Sequence, residues 1–243
     1  MGRTARWRRS AALLAVLLLS RGAYGAHPLN TEDTGTQGSG GWQLELNGER
    51  NRDEGVRGAQ ALSVLSYGIA ENADLQVGVP WQDLGDVRGM GDALAAVKWR
   101  FWEQGPYSLG IRAGFLFPTG DEQRGLGNGK TNFAALLIGS YEGERWLVHA
   151  HAGYRDNRNT LGNRRNVAEI SAAVLYKLTE RIRPLLDVSR ITNTDPESDQ
   201  AAQNVVLGVI WQVTKDLDLD AGLRYGNQPA IDRALMLGMT IRW

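Results

Sequence analysis

The chain has no cysteine, only three histidines and only seven prolines in 243 residues. Without cysteine there is no disulfide framework, no thiolate metal centre and no lipid-modified cysteine behind an export signal. Beyond residue 19 no apolar run approaches the roughly 20 residues that a membrane-spanning helix requires, so a helical membrane bundle is ruled out. The chain also lacks a net charge, with 27 basic and 27 acidic residues. Residues 1–25 hold five arginines and no acids, so their removal leaves 22 basic residues against 27 acidic. That balance of about −5 argues against a nucleic-acid partner.

What is present points to export and to many short strands. Arg3, Arg6, Arg8 and Arg9 precede the apolar run Ala11–Leu19, and Ala23-Tyr24-Gly25 supplies small residues at a cleavage site. This predicts a secretory signal peptide over 1–25, because the run is too short to span a bilayer and its flanks are those of a signal. Residues 26–41, rich in Gly, Thr, Asn and Asp with Pro28, show no apolar period. They are expected to form an extended entry segment or to fold back as a plug in a lumen.

From Trp42 onward the apolar residues alternate. The terminal stretch is the clearest: Leu235, Leu237, Met239, Ile241 and Trp243 fall on every second position, opposite Ala234, Gly238, Thr240 and Arg242. A period of two sends successive side chains to opposite faces of a sheet. Tyr107, Leu109, Ile111, Ala113, Phe115 and Phe117 repeat the pattern, and twelve such stretches are expected between Trp42 and Trp243. Short turns follow the second, fourth, sixth, eighth and tenth, and longer polar stretches follow the others, including 49–58 after the first. An even strand number with short turns on one side and long loops on the other is the pattern of an outer-membrane barrel. The fold class is therefore all-β: one transmembrane antiparallel β-barrel of 12 strands over 42–243, with both termini periplasmic. Aromatics near strand ends fit interfacial girdles. The stretch 133–141 is apolar on both faces and leaves its orientation open, and Pro184 belongs at a strand start because it cannot donate to a ladder.

In such a barrel the polar positions face inward. Lys98, Arg100, Arg112, His149, His151, Glu169, Asp187, Asp218, Asp220 and Arg224 are the expected lumen-lining residues. Asp216, Asp218 and Asp220 on one face would be balanced by Lys98, Arg100 and Arg112 on others. His149 and His151, two apart, have a spacing that suits a metal or acid–base work, and equally suits two polar residues on a wet face. Neither a metal nor any other cofactor is expected. Gly125-Leu-Gly-Asn-Gly-Lys-Thr131 superficially matches a phosphate-binding loop, but Arg124 stands where the first glycine belongs. No serine-centred constellation stands out, and no catalytic residue is assigned.

Two stretches, Ala26-His-Pro-Leu-Asn-Thr-Glu-Asp-Thr-Gly-Thr-Gln-Gly-Ser-Gly-Gly-Trp-Gln-Leu-Glu45 and Phe117-Pro-Thr-Gly-Asp-Glu-Gln-Arg-Gly-Leu-Gly-Asn-Gly-Lys-Thr131, resemble the outer-membrane transporters grouped under the phenol-degradation meta-cleavage (MetA) pathway. The resemblance covers most of the chain after the signal. It implies a Gram-negative outer-membrane barrel linked to uptake of small, often aromatic or hydrophobic solutes. The expected function is a passive, porin-like channel for small organic solutes and not an enzyme. The alternatives are a non-conducting structural or surface-interaction barrel and, less favoured, a barrel enzyme acting on lipid. Expected partners are outer-membrane lipid, a small organic solute, and the barrel-assembly machinery through the strand ending in Trp243.

Overall fold

The computed structural model describes residues 27–53, 56–227 and 233–243. The expected signal peptide therefore lies outside the described residues. The strands are β1 (Trp42–Asp53), β2 (Val56–Ala70), β3 (Ala73–Asp83), β4 (Arg88–Met90), β5 (Ala93–Gln104), β6 (Tyr107–Phe117), β7 (Asn132–Glu142), β8 (Trp146–Asp156), β9 (Asn166–Tyr176), β10 (Ile182–Ile191), β11 (Ala202–Thr214), β12 (Leu217–Gly226) and β13 (Arg233–Arg242), with one 3₁₀ turn, Glu122–Arg124. All pairings are antiparallel; strands pair with their neighbours in sequence except that β3 pairs with β5 past the short β4, and β1 pairs with β13, so twelve strands close into a barrel. The thirteenth, β4, is a three-residue flap on the upper part of β3, where β3 has parted from β5 beyond the pair Gly78 and Leu94.

Closure is fixed at the chain ends. The Trp42 amide donates to the Trp243 carbonyl at 3.0 Å, the Trp243 amide donates back at 3.1 Å, and the two indoles stack 6.3 Å apart. Along each strand exposed apolar residues alternate with buried ones. Leu235 and Leu237 are exposed while Ala234 and Met236 are buried, and Phe115 and Phe117 are exposed while Leu116 is buried. A continuous apolar outer surface on a closed sheet, with every ladder group paired, is what a lipid environment demands. Aromatics mark the two rims. Trp42–Tyr67, Tyr107–Tyr141 and Trp146–Tyr176 contact at one end, and Phe115–Phe133 at the other.

Several expectations change in detail. The polar stretch 49–58 is not a loop: β1 continues to Asp53 and β2 begins at Val56, with Glu49 and Asn51 buried inside the barrel. Strands tolerate such residues where one face meets a polar interior, and Glu49 has a partner there. β7 turns Leu136 and Ile138 inward and Leu137 outward. In β5 the alternation breaks at a bulge between Arg100 and Trp102, which leaves Phe101 and Trp102 both exposed. Pro184 is the third residue of β10, and pairing with β9 starts only at Leu185, so its missing amide leaves that ladder intact.

Candidate functional site: the barrel interior and the segment that crosses it

The interior is charged, and the residues before β1 run through it. Residues 27–41 follow the inner wall in one direction, touching the strands in reverse order of sequence. His27 Nδ1 bonds to Asp220 on β12. The amides of Asn30 and Thr31 both donate to Asp187 Oδ2 on β10, at 3.0 and 2.8 Å. Thr31 Oγ1 and Ser171 on β9 share a bond at 2.5 Å, and the Glu32 amide donates to His151 Nδ1 on β8 at 3.0 Å. The Thr34 amide donates to Ser140 on β7 at 3.1 Å, while Thr34 Oγ1 and Ser108 on β6 share a bond at 2.6 Å. Gln37 donates its amide to Asp74 on β3 at 3.0 Å. The Gly40 amide then donates to the Gly68 carbonyl on β2 at 2.8 Å, the Gly68 amide donates to the Gly41 carbonyl at 2.9 Å, and the chain enters β1.

An extended segment makes few hydrogen bonds of its own, here Gly35 to Asp33 and Gly41 to Gly38, so most of its buried amides need acceptors on the wall. Inward Asp, Ser and His residues of the barrel supply those acceptors. Apolar contacts reinforce them: Leu29 packs in a buried cluster with Leu147, Ala173, Leu175, Leu185, Val206, Ile210 and Met236. Close approach is possible because the wall thins at glycines. Gly208 and Gly222 lie opposite each other in register, and a Cβ on either would meet the Pro28 ring at 2.8 or 2.9 Å. A Cβ on Gly238 would meet both Asp220 and His27.

The charges pair differently from the expected scheme. Lys98 donates to Glu32 Oε1 at 2.9 Å and to Asp33 Oδ1 at 3.0 Å, both on the segment. Arg112 Nε donates to Gln76 at 2.7 Å and lies 3.7 Å from Glu32 Oε2. Asp218 pairs with Arg242 at 3.1 Å and Arg183 at 3.4 Å, and Asp220 takes His27. Arg224 forms a two-pronged pair with Glu49, its Nη1 2.8 Å from Oε2. Asp216 belongs to the turn after β11 and sits beside Lys215. The expected balance between the aspartates of β12 and Lys98, Arg100 and Arg112 is thus replaced by pairs with the segment and with β1, β10 and β13.

Of the ten residues expected on the lumen face, Lys98, Arg112, His149, His151, Asp187, Asp218, Asp220 and Arg224 are buried. Glu169 is mostly covered and stands 3.7 Å from His151 Nε2. Arg100 lies at the turn end of β5, partly exposed, paired with Glu103 at 3.0 Å. His149 Nδ1 bonds Ser140 at 2.8 Å. The two histidines thus serve different partners, and among the described residues no cluster of three or more His, Asp or Glu suits a metal ion. Glu32, Asp33, Asp74, Glu49 and the wall glycines were missed by sequence reasoning. The one signal for Glu49 was parity with the inward Glu45.

At the opposite end the loop 118–131 is a built structure. Asp92 accepts from the amides of Gly120 at 3.1 Å and Asn128 at 2.8 Å. Burial raises the Asp92 carboxyl above its ordinary value, with those two amides working the other way. Leu126 and Asn128 are buried beneath, and Gly125 and Gly129 adopt positive φ of 75° and 69°. The glycines of 125–129 therefore serve a backbone route that other residues rarely adopt.

No curated protein matches the sequence. Among solved structures, the COG4313 outer membrane channel from Pseudomonas putida F1 superposes with a TM-score of 0.67 at 12% identity, covering 87% of this chain and 98% of that one. The NanC porin gives 0.63 at 10% identity and the KdgM porin 0.61 at 10% identity, each covering 82% of this chain and 98% of the other. Those likenesses establish the fold, an outer-membrane porin type of barrel. A family model matches residues 26–243, and the chain belongs to the family described as "Putative MetA-pathway of phenol degradation".

Proposed function

We propose that the chain is a passive outer-membrane channel for small organic solutes, and that residues 26–41 act as a plug which sets whether it conducts. Residues 1–25 are its cleaved export signal. The long-loop end faces outward and the Trp42 and Trp243 end faces the periplasm, as the asymmetry of the connections requires. A twelve-stranded barrel has a bore between the filled eight-stranded kind and open porins, so one extended segment along the wall is enough to govern passage. The bonds from His27 through Gly41 to nine strands of the wall carry this reading.

Lys98, Arg112, His149, His151, Glu169, Asp187, Asp218, Asp220 and Arg224 line the path in this account, with Arg100 at its periplasmic mouth. They give the interior both signs of charge, which favours solutes without a strong charge of their own over ions of one sign. The apolar patch under Leu29 supports aromatic or hydrophobic solutes, since it is the surface that a displaced segment would leave to them. The interior pairs are read as structural and selective, with no catalytic role. Proteoliposome uptake tests the solute class: neutral phenols should enter faster than charged organic acids or sugars of like size. Equal rates for all three would reject the preference.

A further inference from the structure

The segment 27–41 leaves part of the inner wall uncovered. On β5, β6 and β7 its bonds stop at Lys98, Ser108 and Ser140, with Glu32 beside Arg112. Above that layer the register stacks small and apolar residues: Gly114 lies between Ala96 and Ala134, and Leu116 lies opposite Leu94. With Leu136 they line a cavity of about 20 Å³ that has Arg112 at its polar edge. Leu94, Ala96 and Leu116 form a buried cluster separate from that of Leu29. Carboxamides cap this cavity on the long-loop side. Asn132 stands opposite Leu116 and shares the inward parity of Ala134. Asn128, in the loop above, is tied by its backbone amide to Asp92, two residues before Leu94. Both side chains are completely buried, and among the described residues neither the nitrogen nor the oxygen of either carboxamide has a hydrogen-bond partner. Residues 54–55 and 228–232, which are not described, join strands on the far wall, since β7 lies across the barrel from β1, β2, β12 and β13.

We infer that this cap and cavity form a binding site for an uncharged solute that carries a hydroxyl group on a compact hydrocarbon body. A buried polar group without a partner is costly, so a ligand that supplies the missing bonds is favoured there. A hydroxyl both donates and accepts, which the two ends of a carboxamide require, whereas a carboxylate satisfies only the nitrogen and an ammonium only the oxygen. The hydrocarbon body rests against Leu94, Leu116, Ala134 and Leu136. The free space holds one water-sized group, so a ring enters as Leu94 or Leu116 turns aside. The inference rests on the reading of the barrel as a solute channel and adds a selective stop below the long loops.

The test is solution NMR of the full folded chain in a detergent without hydroxyl groups, following the carboxamide resonances of Asn128 and Asn132 as benzyl alcohol or toluene is added. Benzyl alcohol should shift both in a saturable way and bind about tenfold more tightly than toluene. Asn132→Leu should abolish that preference, read from Asn128, and Ala134→Leu should weaken both probes by filling the cavity. Asn47→Leu, on the inner face of β1 across the barrel, should keep the preference. Equal affinities, shifts that do not saturate, a preference that survives Asn132→Leu or one that is lost with Asn47→Leu would each overturn the site. The heat-induced gel shift of each variant should match the native chain; if Asn132→Leu fails that check, Asn128→Leu takes its place with Asn132 as reporter. The titration involves no flow. A chain that binds with this preference yet never conducts fails only the channel reading, and one that conducts without the preference fails only this site.

Discussion

Nζ of Lys98 lies 2.9 Å from Oε1 of Glu32, a cation of the wall bound to an anion of the chain inside it. Removing one partner of a buried pair costs about 3–5 kcal/mol when the other charge stays buried. Here release of the segment lets water reach the orphaned charge, which caps the loss below that range. Lys98→Met should therefore free the segment more than it unfolds the barrel. Conductance is expected to rise and the heat-induced gel shift to occur only slightly earlier. Combining Lys98→Met with Glu32→Gln and Asp33→Asn should restore much of the closed behaviour, a coupling that additive effects would not produce.

Gly222 gives a steric version of the same experiment. Its Cβ would sit 2.9 Å from Pro28 Cβ, whereas at Gly48, outside the barrel, the nearest atom is the Leu237 carbonyl oxygen at 3.7 Å. Overpacking costs about 1–3 kcal/mol unless the neighbour gives way. Pro28 is the neighbour with freedom to move. Because the chain has no cysteine, a Leu29→Cys reporter can be labelled specifically. Its labelling should speed up about tenfold with Gly222→Ala and stay unchanged with Gly48→Ala.

Asp92 holds the loop 118–131. Asp92→Ala leaves the amides of Gly120 and Asn128 without their acceptor, at about 1–3 kcal/mol for the buried groups together. Trypsin should then cut at Arg124 well before the barrel unfolds. The pH dependence has a defined sign. A carboxyl raised above its ordinary value by burial lends stability that is complete below its unfolded value and fades as pH rises through the folded one. Protection of Arg124 should weaken over that interval in the native chain and stay flat in Asp92→Asn.

Trp243 pairs with Trp42 through two backbone bonds and a stacked ring. The backbone bonds survive truncation of the side chain, and an aromatic pair contributes about 0.5–1.5 kcal/mol beyond its area. Trp243→Ala should refold from denaturant with a small loss of stability. If the assembly machinery reads this terminus, the amount inserted in cells will fall far more than that loss explains. Parallel reductions in both assays would confine Trp243 to closure.

The barrel was legible where the two faces meet different surroundings. In β6 and β13 lipid lies on one side and polar or small residues on the other, so the period of two is unbroken. It faded where the lumen carries a small core of its own. The stretch 133–141 read as apolar on both faces because Leu136 and Ile138 turn inward while Leu137 turns outward, and Leu147, Leu175, Leu185 and Ile210 likewise face inward, in a cluster with Leu29. The stretch 49–58 read as a loop because Glu49, Asn51 and Arg52 crowd it, while the arginine that makes Glu49 tolerable is 175 residues away in sequence. The candidate site was half visible. Parity alone put Asp187, Asp218 and Asp220 on the inner face, but their partners depend on the path of residues 27–41, which no periodicity encodes. The glycine seats at 208, 222 and 238 lay hidden among 30 glycines.

Single-channel conductance in a planar bilayer, comparing the refolded chain from residue 26 with one lacking 26–39, tests the central claim most directly. Gly40 and Gly41 stay in the shorter chain to preserve their bonds to Gly68. A plugged channel gives small or rare steps in the longer chain, large steady ones in the shorter, and block of the latter by phenolic solutes. Two chains that fold alike and conduct alike, or not at all, would contradict a plugged channel.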